Sequence, residues 1–212
     1  MPTSSGPKPE RRLAPRKAKV LRVGLLESDQ GAQLCLIRDI SSGGLRADLH
    51  YNLARGTKAS IELNTGRRLQ GTIIWYRDEQ AGMEFDEPVD VEHFLAPEPG
   101  APCGPRPRLP RIGVNRVVTV RSGARLFRVP AIDISQGGMK VATDAIKAGD
   151  EVVVLLADFK PIPGVVRWSK AGCSGIIFNQ FLPLRCLSRW AKAQRRQGKG
   201  SAEARPVGAR RG

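Results

Sequence analysis

Two arginines near the amino terminus, Arg12 and Arg16, stand four residues apart, and Arg11 lies beside them. A second pattern, Asp-x-Ser-x-x-Gly, follows at Asp39, Ser41 and Gly44. A guanidinium group matches phosphate oxygens or a guanine edge with paired N–H groups, and its plane can stack on a base. A carboxylate accepts hydrogen bonds from N–H donors, and a serine hydroxyl adds a short polar group. These residue types are suited to holding a phosphate and a purine.

Each pattern taken alone has a simpler interpretation. An Arg-x-x-x-Arg spacing in a basic tail is common and is typical of a solvated run of charge. The segment Asp39-Ile-Ser-Ser-Gly-Gly44 is also typical of a turn at the end of a strand, in which the aspartate caps local N–H groups. The case for a binding site therefore depends on the two patterns occurring together.

The chain repeats itself, which indicates two copies of one unit. The segment Asp39–Gly44, DISSGG, recurs 94 residues later as Asp133–Gly138, DISQGG. Further identities lie 94 residues apart upstream of this segment and 93 apart downstream of it. They are Val20/Val114, Arg22/Arg116, Val23/Val117, Ser28/Ser122, Gly56/Gly149, Gly71/Gly164, Trp75/Trp168, Gly82/Gly175 and Phe85/Phe178. So many matches in register indicate a duplication.

Each copy has the pattern of a small antiparallel β-domain, in which short apolar strands alternate with Gly-containing turns. The predicted strands are 19–27, 33–40, 58–63, 69–76 and 82–85 in the first copy, and 115–121, 128–134, 151–156, 163–168 and 175–178 in the second. Short strands at such spacing predict a closed barrel. Trp75 and Trp168 follow apolar strand residues and are predicted to pack in the cores. Gly56 and Gly149 are predicted turn residues.

Helix is predicted at the end of each copy, over 89–96 and 182–197. In the second helix Leu184, Leu187 and Ala191 share a face, with Trp190 beside them, which favours a lid packed on the barrel over a helix for a partner. The predicted organisation is a flexible tail at 1–10, a first domain at 11–96, a Pro/Gly-rich linker at 97–110, a second domain at 111–196 and a disordered basic tail at 197–212.

Arg-x-x-x-Arg followed by Asp-x-Ser-x-x-Gly, in this order and spacing, resembles the PilZ domain family. Trp75 with Gly82-x-x-Phe85 is similar to the family's later strands. The resemblance covers nearly the whole chain as two copies. It implies an all-β fold of two six-stranded antiparallel barrels in tandem, each followed by a short helix. It also implies a bacterial receptor that binds cyclic di-GMP, needs no cofactor and has no enzymatic activity.

The resemblance assigns ligand contacts in the first copy. Arg12 and Arg16, helped by Arg11, would wrap the two phosphates and two guanines of the ligand against the barrel wall. Asp39 would accept from guanine N1–H and N2–H, Ser41 would add its hydroxyl, and Gly44 would supply a tight turn or room for the base. The expected mechanism is a switch in which ligand orders a mobile arm, Met1–Lys17, and changes the surface that a protein partner meets.

The second copy departs from the pattern. Arg12 corresponds to Arg106, but Arg16 corresponds to Pro110, which has neither charge nor N–H donor. Arg121 and Arg125 have the right spacing, but they follow the first strand, where the family does not place this motif. Asp133, Ser135 and Gly138 are retained, and Arg106, Arg108 and Arg111 are available to compensate. A weak or absent second site is expected, formed by Arg106, Arg111, Asp133, Ser135 and Gly138.

The formal charge of +15 favours anionic partners without choosing among nucleotides, nucleic acid and acidic membrane. No apolar run reaches the length of a membrane span, and residues 1–19 lack the apolar centre of a secretory signal, so a cytoplasmic protein is expected. Scattered, reduced thiols are predicted for the four cysteines, and no zinc site. They are Cys35, Cys103, Cys173 and Cys186.

Three alternatives to the receptor stay open. Nucleic-acid binding is favoured by the charge and by the basic sequence from Arg185 onward, but aromatic residues for base stacking are only 5% of the chain. An adaptor that binds no nucleotide fits the second copy better than the first. An enzyme is the least expected, because no catalytic combination involving His50 or His93 is recognisable.

Overall fold

Alternating apolar and polar residues place one face of most strands in a core and the other toward solvent. The computed structural model of the protein describes residues 19–63, 67–96 and 109–200, with side chains from Val20 to Lys192 within these ranges. Within this part of the chain, twelve strands form two closed antiparallel barrels of six strands each. Four residues of the predicted sites lie outside it, as do the predicted linker up to residue 108 and both tails apart from residues 197–200. These four are Arg11, Arg12, Arg16 and Arg106.

The first barrel closes in the order β1-β2-β3-β6-β5-β4. Its elements are β1 (Lys19–Ser28), β2 (Gly31–Ser41), β3 (Gly44–Asp48), β4 (Lys58–Glu62), β5 (Arg68–Arg77), β6 (Gln80–Phe85) and the helix α1 (Val91–Leu95). Tight hairpins join β1 to β2 and β5 to β6, and β1 closes the barrel against β4.

The second barrel repeats this topology, in the order β10-β11-β12-β9-β8-β7. Its elements are β7 (Ile112–Ser122), β8 (Arg125–Ser135), β9 (Gly138–Val141), β10 (Glu151–Leu155), β11 (Ile162–Lys170), β12 (Cys173–Phe178) and the helix α2 (Leu184–Gly200). The predicted fold class, two six-stranded barrels each followed by a helix, is confirmed. The predicted turn glycines Gly56 and Gly149 have φ of 88° and 95°, which suits glycine.

The register irregularities repeat as well. β2 shifts register between Ile37 and Asp39, and β8 shifts at the corresponding place, between Ala131 and Asp133. A bulge of this kind turns two successive side chains to the same face of the sheet. Arg38 and Asp39 therefore both lie on the outside of the first barrel, half-buried, while the flanking Ile37 and Ile40 are buried.

Cys35 points into the first core, and its burial raises the pKa of the thiol to about 12. Cys173 is partly buried and Cys186 is exposed, and none of these three cysteines is in a disulfide within the described residues. Cys103 lies outside the described residues. No group of three or more His, Cys, Asp or Glu side chains suited to a metal ion occurs among the described residues.

The helix α1 is short and belongs to the first barrel. Asp90 caps it, since its carboxylate accepts a hydrogen bond of 3.1 Å from the backbone N–H of His93. Val91 and Phe94 are buried in the first core. The apolar side of α1 is therefore already used within its own barrel.

The helix α2 packs on the second barrel, as predicted, and also on the first. Leu187, Trp190 and Ala191 are buried in the core cluster of the second barrel. Ser188 faces the other way and donates a hydrogen bond of 3.2 Å to the carbonyl oxygen of Leu34 on β2. The helix continues to Gly200, three residues beyond its predicted end. Among the described residues, no helix is long and apolar enough to span a membrane.

Candidate functional site

Asp39 lies on the outer surface of the first barrel, where the bulge of β2 turns it outward. Its carboxylate is 13% exposed and is held by Arg46, which stands directly opposite on β3. The guanidinium donates from Nε to Oδ2 at 2.9 Å, and its Nη2 lies 2.7 Å from the same oxygen in an ion pair. Because both contacts use one oxygen, Arg46 fixes the carboxylate while leaving Oδ1 to other donors. The sequence analysis did not single out Arg46.

Ser41 and Gly44 form the turn between β2 and β3. The Ser41 hydroxyl donates to the carbonyl oxygen of Gly44 at 3.2 Å, which closes the turn. A Cβ on Gly44 would lie 2.4 Å from the carbonyl oxygen of Met83 on β6, closer than any real contact. Glycine is therefore required here by the close approach of β6. Its φ does not lie in the left-handed region, so backbone conformation is not the reason. The neighbouring Gly43 has open space among the described residues.

The start of β1 lies beside this turn, because Lys19 is the pairing partner of Asp39. Arg16 is three residues upstream of Lys19 and Arg12 is seven. An extended chain advances at most about 3.3–3.6 Å per residue, so the Arg16 backbone stands within about 11 Å of the Lys19 backbone. The pairing of β1 with β2 thus keeps Arg16 within reach of the Asp39 region through the covalent chain, although Arg12 and Arg16 themselves lie outside the described residues.

The corresponding turn of the second barrel keeps the same internal geometry. The Ser135 hydroxyl donates to the carbonyl oxygen of Gly138 at 3.3 Å, and a Cβ on Gly138 would lie 2.4 Å from the carbonyl oxygen of Ile176. Lys140 replaces Arg46 opposite Asp133. Asp133 instead accepts a hydrogen bond from Arg111, so one of the predicted second-site residues is bonded to another.

The second turn is also covered by apolar side chains, unlike the first. A Cβ on Gly137 would lie 2.9 Å from Phe181 and 3.4 Å from Leu109. The segment carrying Phe181 is held in place by two hydrogen bonds between Gln136 and Leu182, each of 2.8 Å. At the equivalent Gly43 of the first barrel, no atom of the described residues lies within 4 Å of an added Cβ. The two turns therefore differ in access more than in backbone geometry.

The prediction that Trp75 packs in the core is wrong. Its side chain is on the outer surface, 38% exposed, because β5 shifts register between Ile73 and Trp75 and turns Ile74 and Trp75 outward together. The indole lies over Gly82, where a Cβ would be 2.1 Å from Nε1. Trp168 is partly buried and lies over Gly175 in the same way. The repeated Trp and Gly residues therefore fit each other on the outer surface.

Charge is distributed unevenly between the barrels. Residues 19–96 carry nine Lys and Arg against twelve Asp and Glu, a net charge of −3, whereas residues 109–192 carry thirteen against five, a net charge of +8. The intact sequence signature thus belongs to the barrel with an acidic excess. Two arginines of this barrel, Arg46 and Arg38, are each paired with a carboxylate, Asp39 and Asp48.

The sequence model of the PilZ domain family matches this chain twice, at residues 10–95 and 105–186. Among curated proteins, none matches the sequence significantly. Similar solved structures include PlzA of Borreliella burgdorferi in complex with c-di-GMP (12% identity, 82% of this chain and 86% of that chain, TM-score 0.33). Others are the inhibitor of motility MotI of Bacillus subtilis (14%, 88% and 100%, 0.32) and YcgR of Escherichia coli in complex with c-di-GMP (15%, 86% and 88%, 0.32).

Proposed function

Because this chain belongs to the PilZ domain family through both of its repeats, we propose that it is a cytoplasmic, non-enzymatic receptor for cyclic di-GMP with its ligand site on the first barrel. One observation carries the proposal. The Gly43 position in the turn between Ser41 and Gly44 has open space among the described residues, and the sequence that bears Arg12 and Arg16 leads into β1 at Lys19, the residue that pairs with Asp39.

The ligand contacts follow from the chemistry of these groups. Arg12 and Arg16, with Arg11 in support, bind the phosphates and the guanine edges, because a guanidinium fork donates two parallel N–H bonds. Asp39 accepts from guanine N1–H and N2–H through Oδ1, while Arg46 holds Oδ2. Ser41 donates to Gly44 and keeps acceptor capacity for the ligand.

The second barrel binds the ligand weakly or not at all in this proposal. Pro110 stands where the second arm arginine would be. Arg111 already bonds to Asp133, and Phe181 and Leu109 cover the turn at Gly137. A ligand would have to displace both the ion pair and the apolar side chains over the turn. The remaining residues, Arg106, Ser135 and Gly138, would provide few new contacts to compensate.

The signal is relayed through β2 and the arm. Ligand fixes the arm to the first barrel through Arg12 and Arg16, and so changes the surface offered to a protein partner. β2 carries Asp39 near one end and Leu34, which accepts from Ser188 of α2, near its middle. A change in the Asp39 region is therefore five residues along one strand from the contact between the barrels.

Isothermal titration of cyclic di-GMP against the full chain tests the proposal. We expect wild type to bind, Arg16→Ala to bind at least tenfold more weakly, and Lys8→Ala, an arm cation outside the signature, to match wild type. Asp133→Ala should leave the stoichiometry unchanged, whether the ligand binds as one nucleotide or as a stacked pair. No binding by wild type, or equal binding by wild type and Arg16→Ala, would show that the proposal is wrong.

Nucleic-acid binding is the alternative function, and the charge of the second barrel favours it. Residues 109–192 carry a net charge of +8, and contacts to phosphates would use such charge. A gel shift of DNA and RNA oligonucleotides over a salt series separates the two functions, because phosphate-driven binding weakens steeply as salt rises. Absence of any shift at low salt removes this alternative.

A further inference from the structure

The outward faces of the two barrels are equivalent, residue by residue, on the first, second and fourth strands. We call the first outer wall the residues Val23, Leu25, Glu27, Ala32, Leu34, Leu36, Ser60 and Glu62. We call the second outer wall the residues Val117, Thr119, Arg121, Leu126, Arg128, Pro130, Val153 and Leu155. The cross-strand pairs are the same in both, for example Leu25 opposite Leu34 and Thr119 opposite Arg128.

The first outer wall packs against the second barrel and its helix. Leu25, Ala32 and Leu34 are buried, and they join the apolar cluster of the second barrel rather than the core of the first. The helix α2 lies against β2 there, and Ser188 donates to the Leu34 carbonyl oxygen. This face of the barrel thus accepts a helix in the structure itself.

No other element covers the apolar side chains of the second outer wall among the described residues. Val117 is 52% exposed, Leu126 63% and Leu155 38%, and Pro130 is also exposed. Apolar side chains grouped on one face are costly to leave in water and typically mark an interaction surface. The helix of the first repeat cannot cover this wall, because Val91 and Phe94 of α1 are buried in their own barrel.

Charge separates the two walls. Arg121 stands where the first wall has Glu27, and Arg128 stands where it has Leu34. Arg125 lies beside them at the start of β8. Within the described residues, none of these three exposed arginines makes an ion pair or a hydrogen bond through its guanidinium, so the second wall combines apolar patches with unpaired positive charge.

We propose that the second outer wall binds an amphipathic helix of a partner protein whose apolar stripe is flanked by acidic residues. The stripe covers Val117, Leu126 and Leu155, and the acidic flanks pair with Arg121 and Arg128. α2 shows that a helix can lie beside such a face, since its Ser188 bonds to Leu34 of the first wall. The partner helix would lie along the second wall with its apolar stripe toward the barrel. The opposite charges raise the rate of encounter and set the orientation of the helix.

Other occupants fit less well. A second copy of α2 would bring Arg185, Arg189 and Lys192 against the arginines of the wall. The chain's own segments outside the described residues are also basic: residues 1–18 have five Lys and Arg against one Glu, and residues 201–212 have three against one. Nucleic acid would pair with the arginines but would leave the aliphatic side chains without a partner, since base stacking uses aromatic groups.

Fluorescence anisotropy with a labelled peptide tests the proposal on the full chain. The peptide is residues 182–197 with Arg185→Glu, Arg189→Glu, Lys192→Glu, Arg195→Glu, Arg196→Glu and Cys186→Ser, which keeps the apolar stripe of α2 and reverses its flanks. We expect it to bind wild type at least tenfold more tightly than a scrambled peptide of the same composition. Arg121→Glu with Arg128→Glu should weaken binding at least tenfold, and Leu126→Ser several-fold.

The matched control is Arg55→Glu with Arg77→Glu, which makes the same change of net charge on exposed arginines of the first barrel. It should bind the peptide within about twofold of wild type. Equal effects of the two double variants, or equal binding of the patterned and scrambled peptides, would reduce the interaction to net charge and overturn the proposal. No peptide binding by wild type also overturns it. The same holds if duplex DNA binding, and not peptide binding, is lost in the Arg121→Glu, Arg128→Glu variant.

Discussion

Ser188 of α2 donates a buried hydrogen bond of 3.2 Å to the carbonyl oxygen of Leu34, across 154 residues of sequence. A bond of this kind contributes a net of about 0.5–1.5 kcal/mol, and the apolar residues around it contribute more. The exposed ion pair between Arg185 and Glu79, at 2.7 Å, lies at the edge of the same contact and adds little. The two barrels are therefore joined mainly by the buried side chains of the first outer wall.

Leu34→Arg should separate the barrels. The substitution gives the first wall the residue that the second wall has at this place, Arg128, and a buried unpaired charge is strongly unfavourable. We expect a loss of about 2–4 kcal/mol in the free energy of unfolding in urea and a larger radius of gyration by small-angle X-ray scattering.

The control for this variant is Leu126→Arg, the equivalent position on the bare wall, which is 63% exposed. It should change stability by no more than about 0.5 kcal/mol, as is typical of surface substitutions. If Leu34→Arg retains the stability and the radius of wild type, the contact between the barrels is not populated in solution.

Gly44→Ala should destabilise the first barrel while leaving the side chains of Asp39 and Ser41 unchanged. The new Cβ would meet the Met83 carbonyl oxygen at 2.4 Å, so β3 or β6 must move. Overpacking of this kind costs about 1–3 kcal/mol, which urea unfolding measures. Gly43→Ala is the control, because its Cβ meets open space among the described residues, and it should behave almost as wild type. Equal stability of the two variants would contradict the assigned role of Gly44.

Most of the strands were predictable from the sequence, because long strands show a clear alternation of apolar and polar residues. The duplication also gives two independent sequences for each strand. β3 and β9 were not identified, since each turns only two residues inward, Leu45 and Ala47 in β3, and Met139 and Val141 in β9. Two apolar residues are too few to distinguish a strand from a turn. Trp75 was misplaced because a bulge inverts the alternation that places residues inside or outside.

The site was predictable as a set of residue types but not as an arrangement. Asp39, Ser41 and Gly44 are close in sequence, so their turn could be predicted from local pattern alone. The role of Arg46 depends on the register between β2 and β3, which fixes it opposite Asp39. Likewise, the cover of Phe181 over Gly137 joins residues far apart in the chain. Long-range pairs of this kind require the fold.

Arg46→Lys should weaken binding of cyclic di-GMP while keeping the charge. Lysine is a point charge and cannot make both the Nε hydrogen bond and the Nη2 ion-pair contact that Arg46 makes with Oδ2, so Asp39 loses its fixed orientation. We expect affinity to fall about three- to tenfold by isothermal titration, against a hundredfold or more for Asp39→Ala. Arg38→Lys, which alters the neighbouring ion pair with Asp48, is the control and should bind as wild type does. Unchanged affinity in Arg46→Lys would show that Arg46 does not position Asp39 for the ligand.

His50 should make the folded protein sensitive to mild acid. Burial lowers the pKa of its imidazole below 6.5, Glu79 opposes this shift, and Arg185 of α2 adds to it. Asp48 and Arg189 are the other charges acting on the ring, and its Nε2 is buried without a hydrogen bond among the described residues. The folded state therefore favours the neutral ring, and the unfolded state takes up a proton at higher pH. Stability should be full above pH 6.5 and fall as the pH decreases through the lower pKa of the folded state.

Urea unfolding at pH 7.5 and pH 5.5 measures this effect. Wild type should lose more free energy of unfolding over this interval than His50→Gln, which has no titrating ring, whereas His93→Gln, an exposed position on α1, should behave as wild type. An NMR titration of the histidine resonances provides a second readout, because it reports the pKa of His50 in the folded state directly. A value at or above 6.5, or equal acid sensitivity of wild type and His50→Gln, would contradict the effect of burial, since either result requires the ring to accept its proton as readily in the folded protein as in the unfolded chain.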